Sequence, residues 1–148
     1  MAQAERKAEV VWTGNLLEGS GQLKVASGAF PEIGVTWAAR TEQPGGKTSP
    51  EELIAAAHAS CYAMAFSATL ARAGSPPEQL HVTAVVSLDP KEGGGFRISG
   101  SKLSVKGRVP GLDQSAFAEL ARKGEEGCPV SNALRNNLEI QLDAQLES

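Results

Sequence analysis

The feature that most constrains the fold is a run of residues without charge, Leu53–Ala71. A serine, a proline and a glutamate stand before it at the spacing of a capping box with proline at the first helical position. Glycine and two prolines follow it, as at the end of a helix. These flanking residues are Ser49, Pro50, Glu52, Gly74, Pro76 and Pro77. The sequence therefore predicts a helix from Pro50 to Ala73, about 36 Å long at ~1.5 Å per residue.

The length of this uncharged run would also suit a transmembrane helix. Most of the run is alanine, however, which is barely hydrophobic, and four polar residues interrupt it: His58, Ser60, Ser67 and Thr69. A helix that is enclosed by protein on all sides has the same composition. We therefore expect a buried core helix and no association with a membrane.

Short strands and helices are predicted on either side of this helix. Three strands precede it, one over Lys7–Gly14, one around Leu23 and Val25, and one over Gly34–Thr41. After it come two strands, two short helices and a last strand, at Leu80–Asp89, Phe96–Val109, from Asp113, from Pro129 and over Leu138–Leu146. Alternating polarity and short links favour antiparallel sheets. The prediction is an α+β fold in the order βββ-α-ββ-α-α-β, with one domain over residues 1–148.

Charge and composition narrow the classes of function. The net charge of −3 over 148 residues argues against a nucleic-acid partner, which would require a basic face. The first seven residues are polar and do not resemble a signal peptide, so we expect a cytoplasmic protein. In that reducing compartment, the two cysteines are not expected to form a permanent disulfide.

The two cysteines, Cys61 and Cys128, are the candidates for chemistry. Cys61 lies in the middle of the long helix, where it could simply be a small buried hydrophobic residue. Cys128 precedes Pro129 at the expected start of a helix, where the helix dipole would lower a thiol pKa, although it could equally be an ordinary cap. Together they form a candidate dithiol pair, 67 positions apart and without a CxxC motif.

A thiolate at Cys61 would need a cation, because the middle of a helix gains little from the dipole. Arg40, at the end of the third predicted strand, is a candidate, or else a solvated strand-end cation. Glu51 could orient Arg40 through a bidentate pair, or could only complement the helix dipole. Glu51 and Cys61 would lie about 15 Å apart on one straight helix. If they share a site, the glutamate comes from another chain or the helix starts later.

Other kinds of site have weaker support. A zinc site from His58, Cys61, His81 and Cys128 lacks paired ligand spacing, and we expect neither a metal nor a cofactor. A cysteine hydrolase would need an activated base, whereas His58 is expected to fill space on the helix. The sequence contains no phosphate-binding loop, Ser-His-Asp arrangement or dinucleotide fingerprint.

Two segments resemble the OsmC/Ohr family of thiol peroxidases: Thr48–Cys61 and Glu126–Ser131. The resemblance extends over nearly the whole chain, through Trp12–Gly14 and Val109–Asp113. An arginine just before the helix, here Arg40, is similar to the OsmC branch. The Ohr branch carries its arginine near the N-terminus, and residues 14–24 show no counterpart.

The resemblance implies an intertwined homodimer with two sites at its interface. Cys61 would attack an organic hydroperoxide, or hydrogen peroxide, and form a sulfenic acid that condenses with Cys128 to a disulfide. Arg40 and Glu51 would stabilise the thiolate and place the peroxide. A dithiol, lipoyl-linked in relatives, would then reduce the disulfide. The dipole argument favours Cys128 as the more acidic thiol, but the family pattern assigns the attack to Cys61. The alternative function is a non-enzymatic, stress-related ligand-binding protein of the same fold.

Overall fold

The computed structural model describes residues 1–147. Two compact units divide the chain, Met1–Leu53 and the residues from Ile54 onwards, with the boundary in the first turn of the long helix. The prediction of a single domain over 1–148 stays a prediction. In chain order the elements are β1 (Ala8–Thr13), β2 (Ser20–Val25), β3 (Ile33–Val35), α1 (Trp37–Thr41), α2 (Pro50–Arg72), β4 (Gln79–Pro90), β5 (Phe96–Arg108), α3 (Gln114–Glu126), α4 (Pro129–Leu134) and β6 (Glu139–Leu146).

In the first unit, β1, β2 and β3 form an antiparallel sheet in that order. The prediction of one strand over Gly34–Thr41 was wrong beyond Val35, because the chain turns into α1 there. The Thr36 hydroxyl accepts a hydrogen bond from the N–H of Ala39 at 3.1 Å, which caps the new helix. Arg40 therefore lies on a short helix and not at the end of a strand.

The predicted long helix is confirmed as α2, one residue shorter than expected at its C-terminal end. Ser49 Oγ accepts the N–H of Glu52 at 3.1 Å, as a capping box requires. In a complete capping box the Glu52 carboxylate would accept the N–H of Ser49. Here it accepts a hydrogen bond from the Thr48 hydroxyl at 2.7 Å instead. At the other end, Gly74 adopts a φ of 86° and two N–H groups, of Gly74 and Ser75, close a Schellman motif.

In the second unit, β4 and β5 pair antiparallel, with a register shift at Ser87/Leu88 opposite Gly100. β6 then pairs with β5 in parallel, so the expectation of purely antiparallel sheets was wrong for the last strand. The reason is the connection: α3 and α4 carry the chain back before β6 begins, as a parallel crossover requires. The α+β class itself is confirmed.

One face of α2 supplies the core of the second unit. Its fully buried residues recur at every fourth position: His58, Tyr62, Phe66 and Leu70. The last three share a hydrophobic cluster with residues of β5 and α3, in which the rings of Phe66 and Phe117 meet edge to face at 5.1 Å. Tyr62 donates its hydroxyl to the carbonyl of Ala121 at 3.0 Å. These contacts pack the part of α2 that carries Cys61 against the sheet and against α3.

The remaining faces of α2 are open in the single chain. Met64 is 69% exposed, and the expectation of a helix enclosed on all sides therefore fails for one chain. Within residues 1–147, α2 is also the one helix whose length and composition would allow it to cross a membrane.

Candidate active site

The structure brings the two predicted cysteines together. Cys61 lies on α2 and is partly exposed, whereas Cys128 is the N-cap of α4 and is fully buried. Both are free thiols, Cys61 packs against the buried cluster that contains Cys128, and the Cys128 thiol lies close enough to perturb the pKa of Cys61. Two neighbouring thiols can exchange between a dithiol and a disulfide without a third cysteine.

Burial raises the pKa of the Cys61 thiol, and the neighbouring Cys128 thiol raises that pKa further. The backbone N–H of Val130 acts in the opposite direction, because a donated hydrogen bond stabilises the thiolate. Within the described part of the second unit, no positively charged group lowers the pKa of Cys61. These surroundings keep Cys61 a thiol at neutral pH unless a positive charge is brought to it.

Cys128 is held by the backbone on both of its sides. Its N–H donates to the carbonyl of Glu125 at 3.1 Å, and its own carbonyl accepts the N–H of Asn132 at 3.0 Å. The N–H of Ser131 donates to the Cys128 sulfur at 3.5 Å. Cys128 is therefore a true cap of α4, and its sulfur has a defined position.

The predicted ion pair between Arg40 and Glu51 is present in the first unit. Arg40 Nη2 and Nε donate to Glu51 Oε1 at 2.8 and 3.0 Å, and Nε also reaches Oε2 at 3.3 Å. The guanidinium carbon lies 5.9 Å from the centroid of the Trp37 ring. Within residues 1–147, Arg40 Nη1 makes no hydrogen bond. The glutamate thus orients the guanidinium while one of its nitrogens remains available for another ligand.

His58 has more than the space-filling role expected from the sequence. Its ring is fully buried, with Nδ1 2.6 Å from Ser101 Oγ and Nε2 2.7 Å from Ser131 Oγ. Burial lowers the pKa of His58; Glu125 opposes this effect and Arg135 adds to it. The two serines are 43 and 73 positions away in the chain, so no local sequence signal could have found them.

A salt bridge closes the corner between α3 and α4 near this network. Arg135 Nη2 lies 2.9 Å from Glu125 Oε1, and the Glu125 side chain is 10% exposed. Among the described residues no group of three or more His, Cys, Asp or Glu side chains is arranged to hold a metal ion. Both ring nitrogens of His58 are engaged by serines, so the zinc arrangement considered above would require breaking these hydrogen bonds.

Comparison with known proteins gives the same family at the level of sequence. Residues 43–143 match the family model described as OsmC-like protein. The chain is 41% identical over 143 residues to peroxiredoxin OsmC of Escherichia coli, with 97% of each chain covered. It is 34% identical over 103 residues to an organic hydroperoxide resistance protein of Xanthomonas axonopodis, with 66% of this chain and 67% of that protein covered.

A solved structure has the same architecture over nearly the whole chain. It is the crystal structure of an organic hydroperoxide resistance protein OsmC from Legionella pneumophila, which superposes with a TM-score of 0.77 at 26% identity. The match covers 98% of this chain and 99% of that one.

Proposed function

Because the chain belongs to the OsmC/Ohr family, on its OsmC-like branch, we propose that it is a cysteine-based peroxidase that reduces organic hydroperoxides to alcohols. Relatives are named peroxiredoxin and organic hydroperoxide resistance protein. The observation that carries the proposal for this chain is that the Cys61 and Cys128 thiols are neighbours in the same packed cluster. Two neighbouring thiols can together lose the two electrons that the reduction of one peroxide requires.

In the first step, the Cys61 thiolate attacks one oxygen of the hydroperoxide. The O–O bond breaks, the alkoxide leaves and takes up a proton to become the alcohol, and Cys61 is oxidised to the sulfenic acid. In the second step, the Cys128 sulfur attacks the Cys61 sulfur. The S–O bond breaks, hydroxide takes up the Cys128 proton to leave as water, and a disulfide forms. A dithiol then reduces the disulfide by exchange and is itself oxidised.

The assignment of Cys61 to the first step is supported by access. Cys61 is partly exposed, whereas Cys128 is fully buried, so a peroxide reaches Cys61 first. Reaction rates of thiols depend on access as well as on pKa. This supports the order given by the family pattern over the order suggested by the helix dipole.

Arg40 would supply the positive charge that Cys61 lacks within its own unit. Glu51 holds the guanidinium, and Nη1 would donate to a peroxide oxygen. We propose that this pair serves the thiols of its own chain or those of a partner in an intertwined homodimer. The partly exposed face of α2 supports a dimer, since its residues are small apart from Met64 and offer close approach to a second copy: Ala63, Met64, Ser67, Ala68 and Ala71.

Turnover by cysteine variants tests the proposal. With cumene hydroperoxide and dihydrolipoamide as the dithiol, Cys61→Ser is expected to abolish peroxide-dependent dithiol oxidation. Cys128→Ser should be oxidised once and then retain a sulfenic acid at Cys61, detected by dimedone labelling and mass spectrometry. Unchanged turnover in Cys61→Ser would contradict the proposal, and so would a first label on Cys128 in the wild-type protein.

Thiol titration distinguishes the peroxidase from a ligand-binding protein of the same fold. One equivalent of cumene hydroperoxide should remove both titratable thiols of the wild-type protein and form an intramolecular disulfide. Retention of both thiols would instead favour the binding protein.

A further inference from the structure

His58 connects the two helices that carry the cysteines. It lies on α2 three positions before Cys61, close to one helical turn, so the two residues move together with the helix. Its Nε2 is 2.7 Å from the hydroxyl of Ser131, in the first turn of α4. A buried hydrogen bond therefore spans directly from the Cys61 helix to the Cys128 helix.

The first turn of α4 lies beside both cysteines. The N–H of Ser131 donates to the Cys128 sulfur at 3.5 Å. The preceding N–H, that of Val130, lowers the pKa of the Cys61 thiol and so lies close to it. The position of this turn relative to α2 therefore determines how the two sulfurs face each other. The side chain that fixes that position is Ser131, through its bond to His58.

The other end of the imidazole is anchored in the sheet. His58 Nδ1 lies 2.6 Å from Ser101 Oγ, and Ser101 is 1% exposed on β5, the middle strand of its sheet. The middle strand pairs on both sides, so Ser101 has little freedom to move. The histidine is in this way held at one nitrogen and holds α4 with the other.

We propose that His58 is a positioning residue that keeps Cys128 at reacting distance and angle from Cys61 for disulfide formation. The inference rests on the proposed peroxidase function and concerns its second step. In that step Cys128 attacks the Cys61 sulfenic acid, the S–O bond breaks and water leaves. Both ring nitrogens of His58 are bonded to serines, so in this step it acts through Ser131.

The chemistry of the imidazole suits this task. Its depressed pKa keeps the ring neutral near pH 7, with one N–H to donate and one lone pair to accept. A neutral ring between two hydroxyls satisfies its hydrogen bonds without burying a charge. Within the described residues, no buried side-chain nitrogen or oxygen lacks a hydrogen-bond partner. Removing the imidazole would therefore leave the hydroxyls of Ser101 and Ser131 without the partner they have now.

Single-turnover kinetics separates the two steps. Reduced protein is mixed with cumene hydroperoxide, quenched over a time series with a thiol-alkylating reagent and dimedone, and analysed by mass spectrometry. For His58→Leu we expect formation of the Cys61 sulfenic acid within about twofold of the wild-type rate, because both ring nitrogens of His58 are bonded to serines. Disulfide formation should be slower by about tenfold or more, the effect of losing a buried hydrogen bond that positions the reacting pair.

Two further variants test that the hydrogen bonds, and not the volume, matter. His58→Gln offers both a donor and an acceptor, and should recover part of the rate of disulfide formation that His58→Leu loses. Ser131→Ala keeps the backbone N–H but removes the hydroxyl, and should also slow disulfide formation. It changes one atom of the network, so it serves as the test if His58→Leu does not fold.

Leu70→Ala is the matched control for a loosened core. Leu70 belongs to the same buried stripe of α2, three turns further on, and does not contact α4 or the cysteines through a hydrogen bond. Its melting temperature should fall at least as far as that of His58→Leu, with an unchanged rate of disulfide formation. Equal slowing in Leu70→Ala, or equal rates in His58→Gln and His58→Leu, would overturn the proposal. Absence of any Cys61 oxidation in the wild-type protein would instead overturn the peroxidase function.

Discussion

At the scale of single residues, the central fact is that the attacking thiol is not activated by its immediate neighbours. Burial and Cys128 raise the pKa of Cys61, and one backbone N–H from Val130 opposes them. A thiol with a raised pKa is ionised in only a small fraction of molecules at neutral pH, and the thiolate is the nucleophile. The proposed role of Arg40 follows from this deficit, since a cation within a few ångströms lowers a thiol pKa.

Replacing Arg40 should therefore change the pH dependence of peroxide reduction. In Arg40→Met the second-order rate of Cys61 oxidation at pH 7 is expected to fall by roughly tenfold or more, with the midpoint of the pH–rate profile moved upward. Arg40→Lys keeps the charge but loses the fork that binds Glu51, and should give an intermediate rate. The measurement is stopped-flow kinetics from pH 5 to 10 in a Cys128→Ser background. A profile that coincides with that of the parent protein would remove Arg40 from the site.

His58 should give the protein a pH-dependent stability. Its folded-state pKa is depressed, mainly by burial, so the unfolded chain binds a proton at a higher pH than the folded chain does. The contribution of His58 to the free energy of unfolding is present above the unfolded pKa of about 6.5. It is lost as the pH falls from there towards the folded-state pKa.

Urea unfolding at a series of pH values between 4.5 and 8 checks this expectation. The loss of stability on acidification should be smaller in His58→Gln than in the wild-type protein. The control is His81→Gln, because His81 is exposed and is the other histidine of the chain. His81→Gln should retain the wild-type slope, and equal slopes in all three proteins would contradict the assignment to His58.

At the scale of elements, close approach between α2 and α3 brings the buried Tyr62, Phe66 and Phe117 together. Gly124 makes this approach possible. A Cβ atom at Gly124 would lie 3.0 Å from the Cα of Phe66, which is backbone and cannot rotate away. The cysteines depend on the same packing, because α3 leads through Gly127 directly into Cys128.

Gly124→Ala should therefore destabilise the protein although alanine is the better helix former. The gain in helix propensity is about 1 kcal/mol, whereas overpacking a buried contact costs about 1–3 kcal/mol. We expect a melting temperature lower by a few degrees. In the control, Gly127→Ala, the nearest atom to the new Cβ is 3.7 Å away, an ordinary contact. A melting temperature of Gly124→Ala at or above the wild-type value would contradict this prediction, because it would show that α2 and α3 can move apart without loss of stability.

At the scale of the whole molecule, the open faces of α2 are the main unexplained surface. A helix without charge from Leu53 to Ala71 has only one stripe buried in its own chain. Exposed apolar area of this kind commonly marks an interface. The homodimer implied by the family resemblance would cover it, and would also offer a route for Arg40 to reach a partner's cysteines.

Sedimentation of a charged variant tests the dimer. The wild-type protein should sediment as a dimer at micromolar concentration, and Met64→Glu as a monomer, because a carboxylate would be buried without a partner. Glu92→Lys, in the exposed turn between β4 and β5, changes charge away from this face and should remain dimeric. A monomeric wild-type protein, or a dimeric Met64→Glu, would place the interface elsewhere.

Much of this architecture is determined by short-range sequence signals. Ser49 and Pro50 start α2 and Gly74 ends it, because caps and left-handed turns depend on a few consecutive residues. The same holds for Asp113 and Cys128 at the starts of α3 and α4. The two cysteine segments were also sufficient to indicate the family. The ion pair between Arg40 and Glu51 could be anticipated from their types and places.

Only the tertiary structure decided the features that depend on distant contacts. These are the parallel pairing of β6 with β5, the packing of the two cysteines in one cluster and the serine partners of His58. Helix and strand periodicity states which face of an element is buried, but not which element covers it. The strand predicted over Gly34–Thr41 failed for a local reason instead. Thr36 caps α1, but the β-forming residues beside it favour a strand. Side chains tens of residues apart meet only when the packing of the whole unit brings their elements together, and no local pattern encodes that free energy.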